Sequence, residues 1–238
     1  MLQAALNGDL SKATHPAVPV STEELVRDAV ACAAAGAGAI HMHPRDPEGS
    51  ERLDPTVVDE VVAAVREACA LPVGVSTGAW IEPELERRLE LVRGWSAPDY
   101  ASVNLSEDGS RRVMEALLEA GVGIEAGVWS VDDARLLGEF GLGARVTRIL
   151  VEPVAVSAAD AVALVDDIHA ELDRAGLTAP RLQHGDGEAA WVLIEDAVRR
   201  GIDTRVGLED TQYEPSGERT AGNEALVRTA RELGAGGR

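Results

Sequence analysis

Short apolar runs alternate with longer amphipathic segments throughout this chain, at a spacing of roughly thirty residues. Repeated strand–helix units form parallel sheets, and eight such units in 238 residues predict a closed (β/α)8 TIM barrel. One domain is expected to span residues 1–238. An open doubly wound sheet is the alternative, although no Gly-x-Gly-x-x-Gly motif opens the first helix. The predicted strands are residues 2–6, 39–43, 73–76, 100–104, 123–128, 148–152, 181–184 and 204–209.

Residues that favour helix ends support these boundaries. Ser21 before an acidic turn and Asp54 before a proline are typical of helix starts, and Ser130 and Ser157 are predicted to cap two further helices. Glycines stand where helices are predicted to end, at Gly36, Gly121, Gly176 and Gly201.

The charge balance narrows the choice of partners. A net charge of -19 disfavours binding to nucleic acid or to an anionic membrane, because both are polyanions. Lys12 is the only lysine and is predicted to lie in a loop, which disfavours a Schiff-base enzyme. The first ten residues lack the basic and apolar regions of a leader, and no apolar segment approaches the length of a membrane span. We therefore expect a cytoplasmic protein.

The second predicted strand ends in two alternating histidines. In an extended strand His41 and His43 point to one face, while Met42 points to the other. Histidine is scarce here, at five in the chain. The pair therefore favours a metal site, and the alternative is that each ring is a hydrogen-bonded core residue.

The eighth predicted strand repeats this pattern. Arg205 and Glu209 share one face of the strand, and Glu209 is predicted to complete a site with His41 and His43, since only one strand separates strands 2 and 8 in a closed barrel. Zinc suits two imidazoles and a carboxylate, but iron or manganese would also fit. Two alternatives stay open: a buried ion pair of Glu209 with Arg205, or a pairing of Arg205 with Asp210 beside the metal.

Nearly every other predicted strand also ends in a polar group, as active sites at the carboxyl face of such barrels do. Glu125 is expected to face inward, with a buried pair to Arg148 as the alternative. Three tryptophans that follow predicted strands are expected to form walls of a pocket, with plain packing as the alternative: Trp80, Trp129 and Trp191. The remaining strand-end candidates are Asp9, Ser76, Thr77, Gly78, Ser102, Asn104, Glu152 and His184.

A series of motifs in this order resembles the β-keto acid cleavage enzyme family. The most distinctive are Gly-Ala-Ile-His-Met-His-Pro-Arg-Asp at 38–46, Gln-His-Gly-Asp-Gly at 183–187 and Arg-Val-Gly-Leu-Glu-Asp-Thr at 205–211. Shorter matches are 7–8, 15–21, 23–25, 75–78, 103–105, 150–153 and Asn223. Together they cover nearly the whole chain, which makes the series far more specific than any one motif.

The resemblance implies a zinc-dependent barrel enzyme that condenses a β-keto acid with acetyl-CoA, giving acetoacetate and a new acyl-CoA. The implied metal ligands are His41, His43 and Glu209, with Zn²⁺ or another divalent cation as cofactor. Asp210, assisted by Arg205, would remove a proton from C2 of the keto acid. Implied substrate contacts are Ser76, Thr77, Gly78, Ser102 and Asn104 for its carboxylate and carbonyl, and Glu125 and Asp9 for its side chain. A homo-oligomer, specifically a tetramer, is also implied.

Two other functions remain alternatives at this stage. The His-x-His pair alone would suit a metal-dependent hydrolase, although it lies on the second strand and not the first. A non-catalytic barrel that binds a metal or a small anion would not need an acid–base group beside the metal. Hydrolysis of a thioester without a keto acid would favour the hydrolase.

Overall fold

Eight parallel strands close a barrel in the order of the sequence in the computed structural model, which describes residues 1–237. The strands are β1 Leu2–Ala5, β2 Ala39–Met42, β3 Val73–Ser76, β4 Tyr100–Asn104, β5 Gly123–Val128, β6 Arg148–Val151, β7 Arg181–Gln183 and β8 Asp203–Val206. Pairing of β1 with β8, where Gln3 lies opposite Arg205, closes the ring. The predicted TIM barrel is confirmed, and the open doubly wound alternative is wrong.

A helix follows each strand. The helices are α1 Thr22–Ala35, α2 Pro55–Cys69, α3 Leu85–Arg93, α4 Ser110–Ala120, α5 Val131–Phe140, α6 Ala158–Arg174, α7 Ala190–Arg200 and α8 Asn223–Glu232. Ser21 forms a capping box with Glu24, and the other three predicted caps also accept backbone N–H groups. Three predicted glycines are C-caps in the left-handed conformation, whereas the C-cap of α6 is Ala175, one residue before Gly176. Within residues 1–237, no helix combines the length and hydropathy that a membrane span requires.

The hydrophobic core lies between the barrel wall and the helices. Ile40, Val75 and Ile124 on the strands are fully buried, as are Leu25 and Leu117 on the helices that cover them. Burying one such side chain contributes about 1.5–3 kcal/mol to the stability of the fold. A chain with a single Phe therefore builds its core from many aliphatic side chains of this size.

A glycine makes room for the largest side chain inside the barrel. A Cβ at Gly74 would lie 1.9 Å from the ring of Tyr100, which is its neighbour on the adjacent strand. The Tyr100 hydroxyl donates to the carbonyl of Ile40 at 2.6 Å. This ring fills the lower part of the barrel, towards the amino ends of the strands, and leaves the carboxyl ends open.

The last strand is shorter than the sequence pattern predicts. It ends at Val206, and the chain then turns, with the N–H of Asp210 donating to the carbonyl of Gly207 at 3.0 Å. A Cβ at Gly207 would lie 1.8 Å from the carbonyl oxygen of Ala5, so only glycine allows this approach. The prediction that one extended strand runs from residue 204 to 209 is therefore wrong, and Glu209 reaches the site from a turn.

Candidate active site

Three side chains predicted as metal ligands converge at the carboxyl ends of β2 and β8. His41 belongs to β2, His43 follows it, and Glu209 lies in the turn after β8. Nε2 of each histidine lies 3.7 Å from Oε1 of Glu209. One ligand-type atom from each residue lies within 4.8 Å of the other two. We call these three residues the metal cluster.

The donor set of the metal cluster fits a divalent cation. Two ligands on a tetrahedral zinc ion, each at about 2.1 Å, stand about 3.4 Å apart, which is close to the 3.7 Å separations observed. Nδ1 of His41 and Oε2 of Glu209 are buried without a hydrogen-bond partner. Each buried polar atom without a partner lowers the stability of the fold by about 1–3 kcal/mol. A cation bound at Glu209 would remove part of this penalty. Three protein ligands would also leave a coordination position for a substrate.

Neighbouring groups fix the orientation of His43. Nδ1 of His43 lies 2.5 Å from Oε1 of Glu51, and Trp80 donates to the other oxygen of Glu51 at 3.3 Å. The Trp80 ring also stacks on the imidazole, with 6.1 Å between centroids. Asn7 bonds both the N–H and the carbonyl of His43. These contacts leave Nε2 turned towards Glu209, as is typical of a metal-binding histidine with a carboxylate partner.

Burial and charge act differently on the three residues of the metal cluster. Burial lowers the pKa of His41 to about 3, and the Glu209 carboxylate only partly opposes this. Burial also acts to lower the pKa of His43, but the carboxylates of Glu209 and Glu51 outweigh it and raise that pKa to about 9. Burial opposes the ionisation of Glu209, yet Arg205 and the two imidazoles hold its pKa well below the usual range. The surroundings therefore favour positive charge beside Glu209, which a divalent cation would supply as His43 loses its proton.

Arg205 bridges the metal cluster and Asp210. Its Nη2 donates to Oε1 of Glu209 at 2.7 Å and to Oδ1 of Asp210 at 2.6 Å, while its Nε donates to Oδ2 of Asp210 at 3.1 Å. The two pairings that the sequence left as alternatives therefore occur together. Burial raises the pKa of Asp210 above its ordinary value even though Arg205 opposes the shift. A raised pKa makes this carboxylate a stronger base.

A cavity of about 280 Å³ opens above these groups. Its wall includes four of the predicted substrate contacts, namely Asp9, Ser76, Ser102 and Asn104. Trp80 and Trp129 line it as the sequence predicted. Trp191 does not; it donates to the carbonyl of Tyr213 at 2.8 Å instead. The other lining residues are Gly8, His41, His43, Glu152, Pro153, Val154, His184, Gly185, Asp186, Arg205, Glu209 and Asp210.

The remaining three predicted substrate contacts lie outside the cavity lining. Glu125 is fully buried lower in the barrel, where it accepts from Gln3 at 2.9 Å and pairs with Arg148 at 3.1 Å. The prediction that Glu125 lines the pocket for the substrate side chain is therefore corrected. Glu125 pairs with Arg148 instead, because it lies too deep along the barrel axis to reach the cavity. Thr77 donates to the carbonyl of Ser102, and the N–H of Gly78 donates to the Ser76 hydroxyl. Both residues thus support the wall and do not line it.

Several residues of the site were not assigned a role from the sequence. Glu51 carries no local signal, since it reaches His43 through a hairpin of the chain. His184 and Glu152 were recognised only as polar strand ends, and the structure joins them, with 2.8 Å between Nε2 and Oε2. Trp129 donates to the other oxygen of Glu152 at 3.1 Å. A strand-end pattern can suggest such residues, but it cannot show which of them are bonded.

Comparison with known proteins agrees with this geometry. The family model of the β-keto acid cleavage enzymes matches residues 1–236. A 3-keto-5-aminohexanoate cleavage enzyme of Fusobacterium nucleatum is 28% identical over 98% of this chain and 92% of its own length. A 3,5-dioxohexanoate:acetyl-CoA acetone transferase of Paraburkholderia graminis is 31% identical over 38% of this chain and 29% of its own length.

Among solved structures, ObcA in a ternary complex with a C4-CoA adduct and oxalate has the same fold. It superposes with a TM-score of 0.73 at 18% identity, covering 91% of this chain and 63% of the ObcA chain. At that identity the likeness shows the fold alone. The family match over nearly the entire chain goes further and confirms the resemblance seen in the motifs. This chain belongs to the β-keto acid cleavage enzyme family.

Proposed function

We propose that this chain condenses a β-keto acid with acetyl-CoA and releases acetoacetate and a new acyl-CoA. The acetyl group moves to C2 of the keto acid, and the acyl group that C2 carried moves to the sulfur of CoA. The family match supports this reaction class, and the printed name of the Paraburkholderia relative supports acetyl-CoA as the co-substrate. The observation that carries the proposal is the Arg205–Asp210 pair beside the metal cluster in one cavity.

The metal cluster is proposed to hold Zn²⁺, because two imidazoles and one carboxylate with an open position are typical of catalytic zinc sites. When bound, the cation would polarise the ketone of the substrate and stabilise the negative charge that develops on its oxygen. Glu51 keeps Nε2 of His43 directed at the site. Arg205 shares its guanidinium with Glu209 and so fixes the position of that carboxylate.

Asp210 is proposed as the base that removes the C2 proton. Two guanidinium contacts hold its carboxylate in place, and burial raises its pKa, so it is both oriented and more basic than an exposed aspartate. The carbanion left at C2 attacks the acetyl carbonyl of acetyl-CoA. The sulfur of CoA leaves with its bonding electron pair and then attacks the ketone carbon, which breaks the bond between C2 and C3. A proton returned to C2 completes acetoacetate.

The opposite wall of the cavity is proposed to bind the keto acid carboxylate. Ser76 and Ser102 lie on adjacent paired positions of β3 and β4, and Asn104 ends β4. The Ser76 hydroxyl oxygen already accepts from Gly78, so its hydrogen can be donated to a carboxylate. Asn104 donates to Glu107 at 2.8 Å, which fixes its amide group. Asp9 lies on the wall near the metal cluster, where it is proposed to meet the substrate side chain.

A panel of β-keto acids incubated with acetyl-CoA tests the proposal, with acetoacetate and the new acyl-CoA measured together. The two products should form in equal amounts, and only when both substrates are present. Hydrolysis of acetyl-CoA without a keto acid would support the metal-dependent hydrolase instead, and binding without turnover would support the non-catalytic barrel. A cytoplasmic location and a homo-oligomeric, tetrameric state stay predictions.

A further inference from the structure

His184 carries a buried ring atom that the proposed reaction has not used. The residue follows β7 and is about 95% buried, yet it lines the cavity. Its Nε2 lies 2.8 Å from Oε2 of Glu152, and Trp129 donates to Oε1 of the same carboxylate. An ionised carboxylate only accepts hydrogen bonds, so Nε2 of His184 carries the hydrogen. In the neutral ring, Nδ1 is then a bare acceptor.

That Nδ1 atom has no hydrogen-bond partner and lies 3.7 Å from Oδ1 of Asp210. A buried acceptor without a partner is costly, and this one lies beside Asp210, the proposed base. Among the histidines of residues 1–237, His184 is the one that lines the cavity outside the metal cluster. A base oriented by a carboxylate is the arrangement that activates nucleophiles in many acyl-transfer sites.

The proposed reaction requires a group to act on the sulfur of CoA. Sulfur leaves acetyl-CoA with its bonding electron pair in the first half of the reaction and attacks the ketone carbon in the second. We infer that His184, oriented by Glu152, is a catalytic residue that gives a proton to this sulfur and takes it back, an inference that rests on the proposed function.

The protons and electrons balance without another reactant. The C2–H bond breaks, and the proton passes through Asp210 to Nδ1 of His184, where Glu152 stabilises the charged ring. The C2–C bond to the acetyl group forms, the C–S bond breaks, and the proton moves from Nδ1 to sulfur. In the second half Nδ1 takes the S–H proton, sulfur bonds to the ketone carbon, and the C2–C3 bond breaks. The proton then returns to C2.

A merely structural role is the competing explanation, in which His184 only supports Asp210. The two roles separate in partial reactions of acetoacetate, which is the proposed common product and therefore binds whichever keto acid is native. Deuterium uptake at C2 from heavy water, without any thioester, reports on Asp210. Transfer of a ¹³C-labelled acetyl group from acetyl-CoA to acetoacetate also requires the steps at sulfur.

The test compares wild type with His184→Gln, whose amide can still donate to Glu152. We expect deuterium uptake to stay within about threefold of wild type and label transfer to fall at least about 100-fold, as for the loss of an acid–base group. Equal loss of both activities, or label transfer that is unchanged, would overturn the inference. Glu152→Gln tests the same pair from its other member and decides the question if His184→Gln is not recovered folded.

The matched control is His169→Gln. His169 is also buried and bonds a side chain, Gln183, at 2.8 Å, but it does not line the cavity. The His169→Gln substitution should lower the unfolding temperature and leave the ratio of label transfer to deuterium uptake unchanged. Wild-type protein that shows neither activity would instead overturn the proposed function, and the inference with it.

Discussion

Nδ1 of His43 is bonded to Oε1 of Glu51 at 2.5 Å, which joins the hairpin after β2 to the metal cluster. The Trp80 indole holds the other oxygen of the same carboxylate. A carboxylate partner of this kind sets the tautomer and direction of a metal-binding imidazole. Glu51 is therefore a positioning residue for the proposed cation.

Replacing Glu51 with Gln should weaken metal binding by about 10- to 100-fold, because a neutral amide is a poorer acceptor for the Nδ1 hydrogen of His43. Competition with a chelator of known zinc affinity measures the change. Glu48→Gln, at an exposed position of the same hairpin, is the control and should bind as wild type does. Equal affinities for Glu51→Gln and Glu48→Gln would show that the contact does not orient a ligand.

Replacing Asp210 with Asn should lower turnover by about 10²- to 10⁴-fold, because the base that removes the C2 proton is lost. Deuterium uptake at C2 of acetoacetate should fall by the same factor. Asp196→Asn is the matched control: Asp196 is similarly buried and also pairs with an arginine, Arg200, but it lies outside the cavity lining. Deuterium uptake that survives in Asp210→Asn would assign the base to another residue.

Replacing Gly207 with Ala should destabilise the protein by about 3 kcal/mol or more, because the new Cβ would collide with the Ala5 carbonyl. The turn that carries Glu209 would also shift, so metal binding should weaken even in the folded fraction. Gly141→Ala is the control, since its Cβ would meet nothing within 4 Å and only its left-handed backbone would be strained, at about 1 kcal/mol. Chemical denaturation measures the free energy of unfolding of both variants. Equal losses of stability would contradict the close approach of Gly207 to Ala5.

Asp28 makes stability depend on pH. Burial raises its pKa to about 6, although it accepts from Nδ2 of Asn223 at 2.6 Å. A carboxyl whose pKa is higher folded than unfolded stabilises the fold at low pH, and this contribution is lost as pH rises through about 6. Asp28→Asn should therefore become the more stable protein above that pH, by on the order of 2 kcal/mol at pH 7.5.

Denaturation of both proteins between pH 4 and pH 8 checks this prediction. The advantage of Asp28→Asn should grow up to about pH 6 and then level off. Asp132→Asn, at a side chain that is 87% exposed, is the control for removal of one surface carboxylate. An advantage of Asp28→Asn that is constant with pH would rule out titration of Asp28 as its cause.

Much of the barrel and of its site could be predicted from local sequence. The alternation of side chains along a strand predicts that His41 and His43 share one face. The repeated strand–helix units predict the closed ring of strands, which brings Glu209 close to both histidines. The family resemblance is confirmed, and so is the enzyme class, a carbon–carbon bond-cleaving acyltransferase.

What the sequence could not predict depends on distances through space. Alternation shows that Glu125 faces inward, but not how deep it lies along the barrel axis. The end of β8 is set by the close approach of Gly207 to Ala5, which are far apart in the chain. Glu51 reaches His43 only because a hairpin folds back over the site.

Removal and return of metal test the central claim most directly. Wild type and Glu209→Gln would be treated with a chelator, resupplied with Zn²⁺, and assayed for transfer of labelled acetyl groups from acetyl-CoA to acetoacetate, with bound metal counted alongside. We expect chelated wild type to lose activity and to regain it with one equivalent of Zn²⁺, while Glu209→Gln binds metal weakly and regains little. Full activity in metal-free wild type, or full recovery in Glu209→Gln, would contradict the account.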